Sequence, residues 1–289
     1  MTLMQKNNNL SPLPWYNSIN EQNHRKSYAY GAVYPLYTRI KTVLPFQIVR
    51  EHRANSIQSV LLYDIKGTLI ADITTSMMET GLQIISFSSH GYDVIVYYGL
   101  LPILQNQLIG QYYAVMTDGV ETWYSEVWTA IEDVQSYLKL EWYNKENVAF
   151  GGGQIVYEQT YYRNYLYLDA EIGKPEYKFE EEGEERDGYF FPEKQISEKV
   201  YKSVILAPEF LCDCMRLIRM ADYVRITDKY GRVYNCDTFL ITPEWQVQGD
   251  LASVEMEFQT DTVVKKIGRG YTIPSGADFC DDYNNDFNN

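Results

Sequence analysis

The stretch "LASVEMEFQT", residues 251–260, has the most regular pattern in the chain and decides the fold class. Residues of even number form one set and residues of odd number the other. The even set is Ala252, Val254, Met256, Phe258 and Thr260; the odd set is Leu251, Ser253, Glu255, Glu257 and Gln259. Apolar and polar residues that alternate with period two predict a β-strand with one face on a core and the other in water. The following "TVVKK", residues 262–266, is predicted to leave the sheet, with its lysines guarding the edge.

The same strand-like texture extends back to about Val43, where short runs of β-branched and aromatic residues alternate with turn residues. We predict hairpin bends at residues 64–67, 118–119 and 228–231, each of which ends in glycine. Glycine accepts the positive φ that tight hairpins require. Six or seven strands between residues 43 and 145 predict an antiparallel, sandwich-like domain.

A boundary between domains is predicted at "FGGGQ", residues 150–154, because three consecutive glycines disfavour both helix and strand. Neither a Gly-x-Gly-x-x-Gly spacing nor a Gly-Lys-Ser/Thr ending turns this run into a nucleotide loop. The predicted fold is mainly β, with two antiparallel β-sandwich-like domains, the second carrying one packed α-helix. The predicted segments are an extended N-terminal arm (1–43), the first domain (44–148), an α+β domain with an acidic loop (149–268) and an acidic, Asn-rich tail (269–289). The arm is expected either to become ordered against something else or to be a flexible terminus.

The clearest helical pattern runs from about Pro208 to Met220. Pro208 suits a first helical turn, with Glu209 beside the positive helix end. Apolar residues recur there at helical spacing: Phe210, Leu211, Cys214, Leu217, Ile218 and Ala221. This stripe places Cys214 in the core, whereas Cys212 is expected to point elsewhere.

Six glutamates lie between Glu176 and Glu185, in "EYKFEEEGEE". So dense a run of like charge opposes burial and predicts a solvated loop. The alternatives are a docking surface for a basic partner or a divalent-ion site.

The formal net charge of -14 argues against direct, specific nucleic-acid binding, since a phosphate backbone would be repelled. The beginning of the sequence lacks a basic segment followed by an apolar run, so we predict neither a signal peptide nor a lipoprotein leader. No apolar run reaches the length of a membrane-spanning helix, and no membrane partner is expected. Reduced thiols are predicted for the four cysteines, Cys212, Cys214, Cys236 and Cys280, whose spacing does not match a zinc knuckle.

No residue pattern specifies an active site, and we predict no catalytic, cofactor-binding or metal-binding residues. The three histidines are His24, His52 and His90. His90 could form a Ser-His-Asp arrangement with Ser88 or Ser89 and Asp93, but no nucleophile elbow supports this, and a hydrogen-bonded turn histidine is the preferred interpretation. Paired carboxylates of a glycoside hydrolase stay open, because 39 acidic residues produce accidental pairs. Sugar binding by stacking on a tryptophan ring is a further alternative, and the candidates are Trp123, Trp128, Trp142 and Trp245.

Four sets of residues resemble virion structural proteins of tailed phages and prophages of Bacteroides-type hosts. They are "LPFQIVR" (44–50), "GQYYAVMTDGVETWYSEVW" (110–128), "GKPEY" (173–177) with "RDGYFFPEKQISEKVYK" (186–202), and "WQVQGDLASVEMEFQTDTVVKK" (245–266). The resemblance implies a non-enzymatic component of the tail, neck ring or baseplate, assembled in the host cytoplasm and located in the virion. Its implied partners are copies of itself in a ring and adjacent virion proteins. It implies no cofactor.

The 27 tyrosines fit such a subunit, because rigid rings with polar tips cover much interface area. The interface candidates are Tyr28, Tyr30, Tyr34 and Tyr37 in the arm, Glu180, Glu181 and Glu182 in the acidic run, and Glu255 and Glu257 on the polar face of the 251–260 strand. The competing hypotheses are a receptor- or carbohydrate-binding module and, third, a glycoside hydrolase-like enzyme.

Overall fold

A computed structural model describes residues 8–26, 34–99, 109–150, 153–158, 160–245 and 250–266, and these residues are mainly β. The strands are β1 (Trp15–Tyr16), β2 (Tyr37–Arg39), β3 (Phe46–Glu51), β4 (Ser59–Asp64), β5 (Leu69–Asp72), β6 (Gln83–Phe87), β7 (Tyr92–Tyr97), β8 (Gly110–Thr117), β9 (Thr122–Ser125), β10 (Trp128–Ile131), β11 (Leu138–Tyr143), β12 (Val148–Phe150), β13 (Gly153–Ile155), β14 (Asn164–Leu168), β15 (Glu176–Arg186), β16 (Tyr189–Pro208), β17 (Tyr223–Thr227), β18 (Val233–Asn235), β19 (Thr238–Trp245) and β20 (Leu251–Lys266). The helices are α1 (Asn23–Lys26), α2 (Thr74–Thr80) and α3 (Glu209–Met215).

The largest sheet has the order β1-β9-β8-β10-β2-β14-β11-β17-β18, and β4, with β5 beyond it, also pairs with β8. Strands β10 and β2 run parallel, whereas the other pairs of this sheet run antiparallel. A second sheet has the order β3-β7-β6 and a third the order β15-β16-β20-β19, while β12 and β13 form a separate hairpin. The mainly β, sandwich-like fold class is therefore confirmed.

The β3-β7-β6 sheet is buried on both faces at its centre. Phe46 and Ile48 contribute one face of β3 to the main core, where Phe46 packs on Trp15 with ring centroids 4.8 Å apart. Val49 contributes to a second cluster that includes Val156. A strand covered on both sides reads as a continuous apolar run, as "FQIV" nearly does.

The predicted alternation in residues 251–260 is confirmed. Every even residue from Ala252 to Thr260 is buried, whereas the odd residues are partly or largely exposed. The strand does not leave the sheet at residue 262, however, because β20 continues to Lys266. Asp261, with a left-handed φ of 51°, marks the point at which both faces become exposed.

The three predicted hairpins are confirmed: β4–β5, β8–β9 and β17–β18. Their bend glycines all have positive φ, 84° for Gly67 and Gly119 and 77° for Gly231. The adjoining aspartates help to close the bends. The Asp118 carboxylate, for example, accepts hydrogen bonds from the backbone N–H groups of Val120 and Glu121 at 2.9 and 2.8 Å.

The predicted boundary at residues 148–149 does not separate two compact units. Strand β11, before the glycine run, lies between β14 and β17, both after it. Phe150 and Gly153 are paired, so "FGGGQ" bends the β12–β13 hairpin instead of linking domains. A glycine run is compatible both with a linker between domains and with the bend of a hairpin, because glycine adopts positive and negative φ about equally well. The chain instead divides into a first unit, residues 1–175 with 200–260, and a second unit, residues 176–199 with 261–289.

Residues 8–26, predicted as part of an extended arm, pack on the chain's own first unit. Leu13 and Trp15 are buried in the main core, and β1 pairs with β9. The Tyr16 hydroxyl donates to the buried Glu126 carboxylate at 3.2 Å, and the Asn23 N–H donates to the same oxygen at 2.8 Å. Burial of Leu10, Leu13, Trp15 and Tyr16 explains why this segment is ordered although its sequence lacks a periodic pattern. The predicted tail, 269–289, lies outside the described residues.

The predicted helix at Pro208–Met220 is shorter than expected. Helix α3 ends at Met215 and is followed by a 3-10 turn at Ile218–Met220. Cys214 is buried as predicted, but Cys212 is buried as well, because α3 is covered by the core on more than one side. Burial, followed by the charge of Asp213, raises the pKa of the Cys212 thiol to about 11. The helix therefore contributes two buried, unreactive thiols.

Candidate protein interface on a β-ribbon

The described part of the second unit, residues 176–199 and 261–266, is called the ribbon below. Its hairpin joins β15 to β16 through Asp187 and Gly188, whose φ values are 51° and 78°. Two consecutive left-handed residues define the type I′ turn that Asp-Gly favours, and this turn matches the twist of the flanking strands. The glutamates of Glu176–Glu185 thus lie in a strand, and the predicted acidic loop is corrected. The prediction that these side chains are solvated is confirmed, because they are largely exposed.

No ribbon residue whose side chain is described is buried. This differs from the first unit, whose sheets enclose two clusters of buried apolar side chains. Both faces of β15 are accessible, because its odd and even residues are exposed alike. The ribbon therefore has no core of its own within its described residues.

Large apolar side chains lie on the ribbon surface. Tyr177, Phe179 and Tyr189 expose 73%, 62% and 70% of their area, and about half of Phe190 and Phe191 is exposed. Val263 and Val264 are exposed as well. Single exposed apolar residues are ordinary, but a concentrated group marks a binding surface.

The three predicted interface glutamates of the ribbon have different surroundings. Glu181 accepts a hydrogen bond from the Gln195 amide at 2.6 Å, and Glu182 pairs with Lys194 at 3.2 Å. Glu180 is exposed. Exposed pairs of this kind contribute at most about 1 kcal/mol, because water screens them and long side chains lose freedom. The ribbon charges are thus available to a partner at little cost.

Gly183 brings the two strands of the ribbon close together. A Cβ atom there would lie 2.1 Å from the Phe191 carbonyl oxygen and 2.8 Å from the Pro192 Cα. Both obstacles are backbone atoms, so a side chain at this position would separate the strands. The single glycine within the glutamate run is therefore explained by strand approach rather than by a loop.

The two arm tyrosines that the structure describes are not freely exposed rings. Tyr28 and Tyr30 lie outside the described residues. Tyr34 is partly buried, and its pKa is raised by burial and then by the charge of Glu126. Tyr37 is also partly buried and packs on Tyr137 with ring centroids 4.6 Å apart. Their role in an interface stays a prediction.

The polar face of β20 is partly neutralised from within the first unit. Lys202, on β16, lies 3.3 Å from Glu255 and 3.6 Å from Glu257. Both glutamates remain partly exposed. This face is less acidic than the sequence suggested, because a neighbouring strand supplies the counter-charge.

The Ser-His-Asp arrangement around His90 is not formed. Ser89 Oγ lies 2.9 Å from His90 Nδ1, in a 3-10 turn at residues 88–90, which confirms the turn histidine. Asp93 contacts His52 instead, with Oδ1 2.7 Å from Nδ1. Because Asp93 contacts His52 and not His90, the residues of the imagined triad are not brought together.

A buried ionic cluster, which no pattern in the sequence indicates, surrounds Asp93. Arg50, 1% exposed, donates to Asp93 at 3.2 Å and to Asp118 at 2.6 Å, and both carboxylates are fully buried. Burial raises the pKa of Asp93, but hydrogen bonds from His52, Ser86 and the Arg53 N–H, with the Arg50 charge, outweigh it and leave a lowered pKa. The cluster connects β3 and β7 to the β8–β9 bend, so it acts as a clamp between two sheets.

Three of the four tryptophans proposed as sugar platforms are core residues. Trp123, Trp128 and Trp142 are all buried. Trp245 is 45% exposed, at the end of β19. Stacking on a sugar requires an accessible ring face, so only Trp245 keeps this candidacy.

The described ranges contain no cluster of possible metal ligands and no membrane-spanning helix. No three His, Cys, Asp or Glu side chains there are grouped so as to hold a metal ion, the ribbon glutamates included. Cys212, Cys214 and Cys236 are free thiols. Within the same ranges, no helix has the length and apolarity needed to cross a bilayer.

The chain matches no protein-family model and no curated protein.

Proposed function

We propose that the protein is a non-enzymatic structural subunit of a phage virion, in the tail, neck ring or baseplate. It oligomerises and docks neighbouring virion proteins, and the ribbon is its main contact surface. The observation that carries the proposal is a β-ribbon that presents five exposed aromatic rings and contains no buried described side chain.

Such a ribbon gains stability from a partner. A ribbon of two or three strands without a buried apolar face is marginally stable in water, because it removes little apolar surface from the solvent. Each ring that a partner covers removes up to about 150–250 Å² from water, at roughly 25 cal/mol per Å². Aromatic residues are also the type most enriched in protein interfaces. The exposed rings are therefore explained by contact with another protein.

The virion assignment rests on the resemblance of the sequence to phage structural proteins. One of the resembling stretches, residues 186–202, contains the whole β16 part of the ribbon, residues 189–199. The same segment thus supports both the resemblance and the contact surface. Location in the virion, with assembly in the host cytoplasm, follows as part of the proposal.

The test is the mass of the full chain by multi-angle light scattering, alone and with the products of neighbouring genes. We expect an oligomer, or a mixed complex with a neighbouring product. Substitution of Tyr177, Phe179 and Phe191 by Ser should abolish assembly while leaving the melting temperature of the first unit unchanged. A chain that stays monomeric under both conditions would contradict the proposal.

A carbohydrate-binding module is the second candidate, and one cleft of about 440 Å³ favours it. Tyr143 and Tyr223 line this cleft, but they stack on each other with centroids 4.5 Å apart. Arg163 lies 4.8 Å from the Tyr143 ring centroid and Lys145 lies 5.3 Å from that of Tyr223. These contacts occupy the ring faces that a sugar would need. Specific glycan-array binding by a stable monomer would favour this candidate over the first.

A further inference from the structure

A basic, tyrosine-lined cleft lies in the first unit, at the end of β2 and beside β11 and β14. Its volume is about 510 Å³, within the size range of sites that hold an aromatic group. Its lining consists of Arg39, Ile40, Lys41, Thr42, Val134, Lys139, Tyr165 and Tyr167. In a chain with a net charge of -14, this lining contains three cations and no carboxylate.

The cations of the cleft differ in how far they are neutralised. Lys139 pairs with Glu141 at 2.9 Å and lies 5.5 Å from the ring centroid of Tyr165. Arg39 is exposed and has no salt bridge among the described residues. Lys41 is exposed and has a left-handed φ of 67°. Of the three cations, Arg39 is the one placed to meet an anionic group.

The ribbon carries the complementary groups on one face. Because side chains alternate along a strand, Tyr177, Phe179 and Glu181 of β15 share a face. Phe179 and Glu181 are two residues apart, about 7 Å along the strand. A partner that accepts this face needs an aromatic-lined recess with cations at its edge, which describes the basic cleft.

We propose that the ribbon of one copy docks into the basic cleft of the next copy. The Phe179 ring packs against the edges of Tyr165 and Tyr167, since Lys139 lies over the faces of both rings, and Glu181 pairs with Arg39. The inference rests on the proposed self-assembly and names the two surfaces that meet in it. Because the ribbon and the cleft are different surfaces, the contact is heterologous and builds a closed ring or an open filament.

Salt dependence follows from the charges of this contact. Exposed charges are screened beyond about 8 Å at physiological ionic strength and beyond about 3 Å at 1 M salt. Charge pairs at an interface also speed encounter and fix the register. We expect self-association to weaken as salt is raised, in contrast to an interface held by rings alone.

Two complementary variants test the contact. The cleft variant is Arg39→Gln, and the ribbon variant is Phe179→Ser with Glu181→Gln. Each alone should self-associate at least about tenfold more weakly, the change that 1.4 kcal/mol produces. An equimolar mixture should form heterodimers and nothing larger, because the intact ribbon of one variant fits the intact cleft of the other. The charge-matched control for the cleft variant, Arg219→Gln at an exposed position, should assemble like the wild type.

Light scattering across the same concentration range separates the outcomes, with thermal melts confirming that each variant folds. Assembly of the cleft variant at wild-type strength would overturn the ribbon-cleft contact and leave the proposed function standing. Absence of heterodimers from the mixture would also overturn it. A wild-type chain that is monomeric alone but joins a complex with neighbouring products would overturn the self-contact only, whereas a chain that does neither overturns both proposals.

Discussion

The Arg50 guanidinium is held between two fully buried carboxylates that come from distant parts of the chain. Removal of one member of a buried ion pair leaves an uncompensated charge, which costs more than the pair contributes. We expect Arg50→Met to lower the free energy of unfolding by about 3–5 kcal/mol, measured by urea denaturation.

The matched control for this substitution is Arg225→Met. Arg225 also pairs with a carboxylate, that of Glu141, but its side chain is about half exposed. Its removal should cost at most about 1 kcal/mol, because a surface pair contributes little. Equal effects of the two substitutions would contradict the clamp role of Arg50.

Acid should weaken the fold through the same residues. Burial raises the pKa of Asp118, but hydrogen bonds from the backbone N–H groups of Glu121 and Val120, the charge of Arg53 and a hydrogen bond from Arg50 outweigh it and leave a lowered pKa. The pKa of Asp93 is lowered as well. A lowered folded-state pKa stabilises the fold above the unfolded value, about 3.9, and this contribution is lost as pH falls through the folded value. The melting temperature should therefore be nearly constant above about pH 5 and fall below about pH 4; a flat profile down to about pH 3 would contradict this.

Sequence patterns identify relations between residues that are close along the chain. The ion cluster of Arg50, Asp93 and Asp118 joins residues that are far apart, so no pattern indicates it. Asp93 and Asp118 lie 43 and 68 positions from Arg50. The His90 turn was predictable, since its partner Ser89 is adjacent. The pairing of Asp93 with His52 was not, because it depends on the β3–β7 register.

Strand β20 has two parts with different environments. Phe258 is buried and stacks on Tyr201 with centroids 5.4 Å apart, whereas Val263 is exposed. We expect Phe258→Ala to cost about 3–5 kcal/mol of unfolding free energy, through lost burial and the cavity left behind. Val263→Ala should change it by less than about 0.5 kcal/mol in the unassembled chain. Chemical denaturation of both variants tests whether β20 passes from a buried to an exposed environment at Asp261. Similar losses of unfolding free energy in the two variants would contradict this.

The ribbon hairpin depends on Gly183. In Gly183→Ala, the new methyl group would overlap the Phe191 carbonyl, so the strands should separate locally. Cleavage by a glutamate-specific protease within Glu176–Glu185 should become several-fold faster, with the melting temperature of the first unit unchanged. Gly188→Asn is the control, since a Cβ there meets nothing within 4 Å and asparagine tolerates a left-handed φ. Equal cleavage of the two variants would contradict the close approach at Gly183.

At the element level, the sequence predicted features that depend on period and turn chemistry. The β20 alternation and three hairpins are correct for this reason. Helix α3 ends early, and the "FGGGQ" run bends a hairpin. A glycine run fits a linker and a turn equally, and only strand pairing distinguishes them.

For the molecule as a whole, the unpredictable feature is the division into units. The first unit joins strands from both sides of the predicted boundary, because β11 pairs with β14 and β17. The second unit was hidden in the acidic run, where charge density suggested a loop. Exposed aromatic residues beside that charge, Tyr177 and Phe179 above all, were the available signal that it is a contact surface.

The proposed assembly makes the ribbon the region that changes most when copies meet. Its rings lose water, and the outer backbone groups of β15, at the edge of its sheet, become shielded. The buried core of the first unit should be equally protected in free and assembled chains.

The most direct measurement is amide hydrogen exchange of the full chain, compared between dilute monomer and assembled material. We expect slower exchange across residues 176–199 on assembly, with unchanged exchange in the buried strands β3 and β7. Assembly that leaves exchange in residues 176–199 unchanged would contradict the claim that the ribbon is the contact surface.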